Sequence, residues 1–137
     1  MSHAGTSQLH CVVVTPETTL FDQEVDFVAL PLYDGELGVL PGRAPLIGRL
    51  GYGELRTEAQ GTTRSYFVEG GFAQVRDDVV TVLTHRAIPA ERIDAQAAAD
   101  ELRQAQERRA VTEAEVDEKT RAVDRARAQI RIAEARV

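Results

Sequence analysis

All ten glycines and four of the five prolines of this chain lie in its first 88 residues, and neither type occurs from Ala90 to Val137. Glycine and proline are the residues a helix interior tolerates least. The second stretch can therefore run as long helices, whereas the first is broken too often to do so. Charge follows the same division. Up to Ala87 there are 11 acids and 6 bases, a net of -5; from Ile88 there are 11 acids and 10 bases, a net of -1, at just over twice the density. Two units are expected, residues 1–88 and 89–137, joined at "AIPAER".

The first unit reads as β. "LHCVVV" (Leu9 to Val14) is a short apolar run rich in β-branched residues. "VDFVALPL" places Val25, Phe27 and Ala29 on one face and Val28 and Leu30 on the other. "RSYFVEGGFAQV" and "VVTVLTH" follow. Asp34-Gly35, Gln60-Gly61, Gly70-Gly71 and Asp77-Asp78 supply the turns. Short strands at this spacing predict an antiparallel sandwich or flattened barrel with two sheets sharing one core.

The second unit reads as helix, being dominated by alanine, glutamate, arginine and glutamine. Ala95, Ala98, Leu102 and Ala105 share one helical face. Val116, Val123, Ile130 and Val137 recur every seven residues, with Ala126 and Ala133 beside them. Thr112 and Glu115 have the form of a capping box, which starts a second helix. Two helices are expected, about Glu91–Arg109 and Glu113–Arg136, folded as an antiparallel hairpin; a single unbroken helix is the alternative. The fold class is thus α+β by content, a β-sandwich followed by a helical hairpin. The hairpin seam is mostly alanine. Full burial of a valine or isoleucine stabilises by roughly 1.5–3 kcal/mol and alanine by far less, so such a hairpin could be opened by a competing partner; a surface hairpin that simply docks on the sandwich is the plainer alternative.

Several function classes have no support. A chain of 137 residues with 43% hydrophobic residues fits one packed domain, with or without an appendage. A single cysteine, Cys11, allows no internal disulfide. No apolar run is long enough for a membrane helix, and the N-terminus lacks the pattern of a secretory or transit segment. The net charge of -6 opposes a general nucleic-acid binder. His3, His10 and His85 have no metal-site spacing. "GRLGYGEL" has glycines but no phosphate-loop lysine. No catalytic constellation is visible.

Apolar content and rigidity concentrate in "DGELGVLPGRAPL" (Asp34 to Leu46), read here as a stiff loop. Pro41 and Pro45 fix φ, and Gly35, Gly38 and Gly42 permit tight turns between them. This stretch, continued through "IGRLGYGELR" and followed by "FVEGGFAQVRDDVVTVLTHRA" and "ERID", closely resembles the epsilon subunit of the rotary F-type ATP synthase over about residues 8–137. The resemblance implies a ten-stranded sandwich with a C-terminal hairpin. It implies a non-catalytic rotor subunit bound to the gamma subunit and resting on the ring of c subunits, with the alpha/beta catalytic head a transient partner. It also implies a peripheral membrane position on the cytoplasmic face of the bacterial inner membrane.

By the same resemblance, Glu36 and Arg43 are the contacts to the c-ring, with Arg43 standing where relatives often have histidine. Some bacterial relatives bind ATP on the folded hairpin. Ile93, Asp94 and Arg125 match parts of that motif, but Ala97 and Gln129 replace two of its cationic positions, so weak or absent ATP binding is expected and no cofactor is assigned. Arg121, Arg125 and Arg131 are the candidates for an inhibitory contact to the catalytic head; intrahelical pairing on a solvated face is the plainer alternative. A free-standing adaptor and a small cleft enzyme are the competing classes. Co-purification with gamma separates the first from a rotor subunit, and a deep pocket with converging titratable groups would mark the second.

Overall fold

A computed structural model describes residues 8–135. Along the sequence run β1 (Leu9–Val14), β2 (Thr19–Val25), β3 (Phe27–Leu32), β4 (Gly35–Val39) and β5 (Leu46–Arg49). Then come β6 (Tyr52–Ala59), β7 (Thr62–Glu69), β8 (Phe72–Arg76), β9 (Val79–Leu83) and β10 (Ala87–Pro89). A turn of 3-10 helix (Ala90–Arg92) leads to α1 (Ala95–Glu107) and α2 (Glu113–Glu134).

The strands form two five-stranded sheets, ordered β2-β1-β9-β8-β5 and β10-β7-β6-β3-β4. All pairs within them are antiparallel except β1 with β9, which is parallel. Strand alternation makes the core. Leu9, Cys11 and Val13 of β1 point inward with Val75, Val80 and Val82, against Val28, Leu30, Leu55 and Val68 of the other sheet. Gly71 closes the β7–β8 turn at φ 103°, where an added Cβ would stand 1.9 Å from the Leu83 carbonyl oxygen, so no larger residue fits.

The stretch read as a loop, Asp34 to Leu46, is strand at six of its thirteen positions, Gly35–Val39 and Leu46. Gly35–Val39 is β4, the edge of the second sheet, and Leu46–Arg49 is β5, the edge of the first. Only Leu40 to Pro45 crosses between them as a loop. Gly38 is not at a turn. It pairs with Ala29, and an added Cβ would come 3.0 Å from the Phe27 ring, so close packing is what asks for glycine there.

The hairpin forms and rests on the second sheet. Its first helix starts later than Glu91, because Asp94 is the N-cap and accepts from the Ala97 amide at 3.0 Å. The Thr112–Glu115 capping box is complete in both directions. Lys119 Nζ donates to the Arg108 carbonyl at 3.0 Å and ties the two helices at their turn.

The seven-residue stripe of α2 is not its buried face. Val116 is exposed, and Val137 lies outside the described residues. Val123 and Ile130 are half-buried, Ala126 is buried as expected beside the stripe, and the other buried positions are Ala128, Gln129 and Ile132. Ala128 and Ile132 pack with Phe67 of β7 and with Ala90, while Tyr52, Ile88 and Ile93 border the cluster. Only the C-terminal half of α2 is seated in this way.

Candidate functional site: the sandwich edge and the hairpin seat

Two surfaces hold the residues singled out in the sequence. The first is the edge built by β4 and the loop after it. Glu36 is the second residue of β4, opposite Pro31. Its Oε2 lies 3.5 Å from Arg56 Nη1, and that arginine in turn stands over the Phe27 ring. The carboxylate is therefore tethered, though more than half exposed. Arg43 lies in the exposed loop beyond the strand's other end, so the edge carries both residues without bringing them together.

This loop has an anchor that the sequence did not reveal. The Gly42 amide donates to Asp78 Oδ1 at 2.8 Å, and Arg43 N donates to the Leu40 carbonyl at 3.3 Å. Asp77 and Asp78 both take positive φ, 51° and 63°, in the β8–β9 turn. Stiffness thus comes from a cross-link between two turns as well as from the prolines. The only sequence signal was the Asp-Asp pair itself, which reads equally well as an ordinary turn.

Beside this edge the first sheet has an apolar outer face. Ile47, Phe72 and Leu83 are 75%, 57% and 52% exposed. Phe72 is paired directly with Leu83, and β5 pairs with β8. Neighbouring exposed apolar side chains of this size mark a protein-binding surface more often than a bare one.

The second surface is the seat of α2. Arg125 Nε lies 3.2 Å from Glu69 Oε1, with the side chains 28% and 20% exposed, and the guanidinium stands 5.7 Å from the Tyr52 ring centre. Arg86 Nη1 is 3.9 Å from the same Glu69 oxygen. The pair is close but misaligned: Glu69 Oε1 and Arg125 Nε are buried without a hydrogen bond among the described residues, as is Gln129 Nε2. Glu69 is held in place by its own backbone, whose amide meets Thr84 Oγ1 and the Arg86 carbonyl. Glu69 and Arg86 were not singled out in the sequence; an acid immediately before the double glycine of a buried strand was the available signal.

The other named residues fall apart from this pair. Arg121 and Arg131 are exposed and make no ion pair among the described residues. Ile93 borders the seat and Asp94 caps α1. A cleft of about 800 Å³ separates the N-terminal half of α2 from the sandwich, with Asp117, Arg121 and Asp124 on one wall and Tyr33, Arg49 and Phe72 on the other. Among the described residues no cluster of three or more histidine, cysteine or acidic side chains is arranged to hold a metal.

A sandwich of two five-stranded sheets with a half-seated hairpin defines a class found in rotary ATP synthases. Residues 8–90 match the family described as "ATP synthase, Delta/Epsilon chain, beta-sandwich domain". The chain belongs to this family, in its epsilon branch. It is 55% identical over 123 residues to the ATP synthase epsilon chain of Rhodopirellula baltica, covering 90% of this chain and 96% of that one. It is 43% identical over 121 residues to the epsilon chain of Nitratidesulfovibrio vulgaris strain DP4, covering 88% and 85%. Among solved structures it is similar to a chain of the Euglena gracilis mitochondrial ATP synthase OSCP/F1/c-ring assembly, with TM-score 0.82 and 28% identity over 90% of this chain and 79% of that one. A chain of the Tetrahymena thermophila central stalk and c-ring shares the fold, with TM-score 0.72 and 11% identity over 91% and 96%. No helix among the described residues is long and apolar enough to cross a membrane.

Proposed function

We propose that this chain is a non-catalytic subunit of the rotor of an F-type ATP synthase, linking the gamma subunit to the c-ring on the cytoplasmic face of a bacterial inner membrane. The observation that carries this reading is the whole-chain likeness to a component of an F1/c-ring assembly, sandwich and hairpin together. Glu36 and Arg43 meet the c-ring from the β4 edge. The cross-linked loop suits this work, because a contact that transmits torque must not yield. Gamma is met by the exposed strip of Ile47, Phe72 and Leu83, of which Phe72 also borders the cleft beside α2.

The hairpin restrains ATP hydrolysis by presenting Arg121 and Arg131 to an acidic surface of the catalytic head. Arg125 is a poorer probe of this contact, since it also serves the seat. Pull-down of the tagged chain should bring gamma, alpha and beta with it, and Phe72→Glu should abolish that capture. Capture of none of them by the unaltered chain would refute the rotor reading. In the assembled enzyme Arg121→Ala/Arg131→Ala should raise ATP hydrolysis; an unchanged rate would refute the inhibitory role of these arginines.

A further inference from the structure

Glu69 has a choice of two arginines. Arg125 belongs to the hairpin and Arg86 to the segment joining β9 and β10 of the sandwich, and both guanidinium groups reach the same oxygen, at 3.2 and 3.9 Å. We infer that Glu69 is a partner-exchange latch: it holds Arg125 while the hairpin is seated, and passes to Arg86 when the hairpin leaves. The inference rests on the proposed inhibitory contact, taking the hairpin to leave the sandwich when it meets the catalytic head.

The physical case is one of desolvated charge. A buried ion pair opens at high cost when one partner is left behind without compensation. Here neither partner is stranded. Arg86 is half exposed and stays with the sandwich, so it can neutralise Glu69 after release. Arg125 leaves with α2 and is hydrated. While the hairpin is seated, Arg86 and Arg125 repel each other across one carboxylate. Arg86 therefore works against docking although it forms an ion pair.

A second feature acts in the same direction. Gln129, four residues from Arg125 on α2, is 4% exposed and its Nε2 has no hydrogen-bond partner among the described residues. A buried amide without a partner penalises the seated state, and release hydrates it. The apolar seat is small enough for these polar groups to set the balance: beyond Phe67 and Ile132, its fully buried members are two alanines.

The test is amide hydrogen exchange on the full chain, comparing α2 from Arg121 to Glu134 with β1 and β9, which report global opening. Glu69→Gln should speed α2 exchange about threefold to tenfold, leaving β1 and β9 unchanged. Arg86→Ala should slow α2 exchange by a similar factor, and Arg86→Lys should restore it. Gln129→Met should also slow it. Faster or unchanged α2 exchange in Arg86→Ala would overturn the latch, since an ordinary stabilising ion pair predicts faster exchange. If α2 exchanges only together with β1 and β9 in the unaltered chain, the hairpin does not leave the sandwich, and the latch falls with the reading beneath it.

Discussion

The Asp94 carboxylate accepts a hydrogen bond from the Ala97 amide at 3.0 Å, so the acid of the residual nucleotide motif is engaged as the N-cap of α1. Ile93 beside it borders the apolar seat, and Arg125 faces Glu69. All three matching positions thus have structural occupations. Titration calorimetry should find no micromolar affinity for ATP. Asp94→Ala should loosen α1 by about 1 kcal/mol, the usual worth of an N-cap, seen as a lower midpoint in hairpin unfolding.

Ile132 is the largest fully buried side chain of α2 and packs in the Phe67 cluster. Truncating a buried isoleucine to alanine costs about 2–5 kcal/mol in a closed core. The low end applies here, because the gap can be relieved by the hairpin lifting off. Ile132→Ala should therefore increase proteolysis of α2 while the sandwich's own unfolding midpoint stays nearly constant. Equal loss of stability in both parts would mean that the hairpin does not move as a unit.

Arg43 carries its charge across the physiological range, whereas a histidine loses it near pH 6.5. Arg43→His should make coupling between ATP synthesis and the proton gradient pH-dependent. The ratio of variant to parent activity should be near one at pH 5.5 and fall as pH rises through about 6.5. A ratio that stays flat would remove Arg43 from the c-ring contact.

Burial pushes the Cys11 thiol from its usual 9.0 up to about 12, with Asp22 adding to the effect. The folded chain therefore keeps the proton that the unfolded chain releases above about pH 9. The resulting stability is complete below pH 9 and is lost as pH rises toward 12. Iodoacetamide at pH 8 should label Cys11 only after denaturation, and Cys11→Ala should flatten part of the alkaline decline. Tyr66, whose hydroxyl is also raised by burial, accounts for some of the remaining slope.

The apolar runs of β1, β3, β7, β8 and β9 are legible in the sequence, whereas β2 is not read despite Leu20 and Phe21, and its last residue, Val25, is assigned to the strand that follows. β1 has the bounds that its run of valines predicts. β6 escaped notice because its inward positions are Gly53, Leu55 and Thr57, of which only one is plainly apolar. β4 reads as part of a loop, and β5 gives no strand signal, because three glycines and two prolines dominate their neighbourhood. Ladder pairing with β3 and β8 overrides that local preference.

Sequence by itself determined the division into two architectures, the turn chemistry, and the capping box that starts α2. Each depends on residues close together in the chain, where propensity and local hydrogen bonds decide. Only the tertiary structure decided which face of α2 is buried, since the sandwich selects Ala128 and Ile132 over the heptad valines by offering Phe67 as a seat. It alone joined Glu69 to Arg125 and Gly42 to Asp78. Those contacts span tens of residues, and their geometry is set by two sheets closing on a shared core.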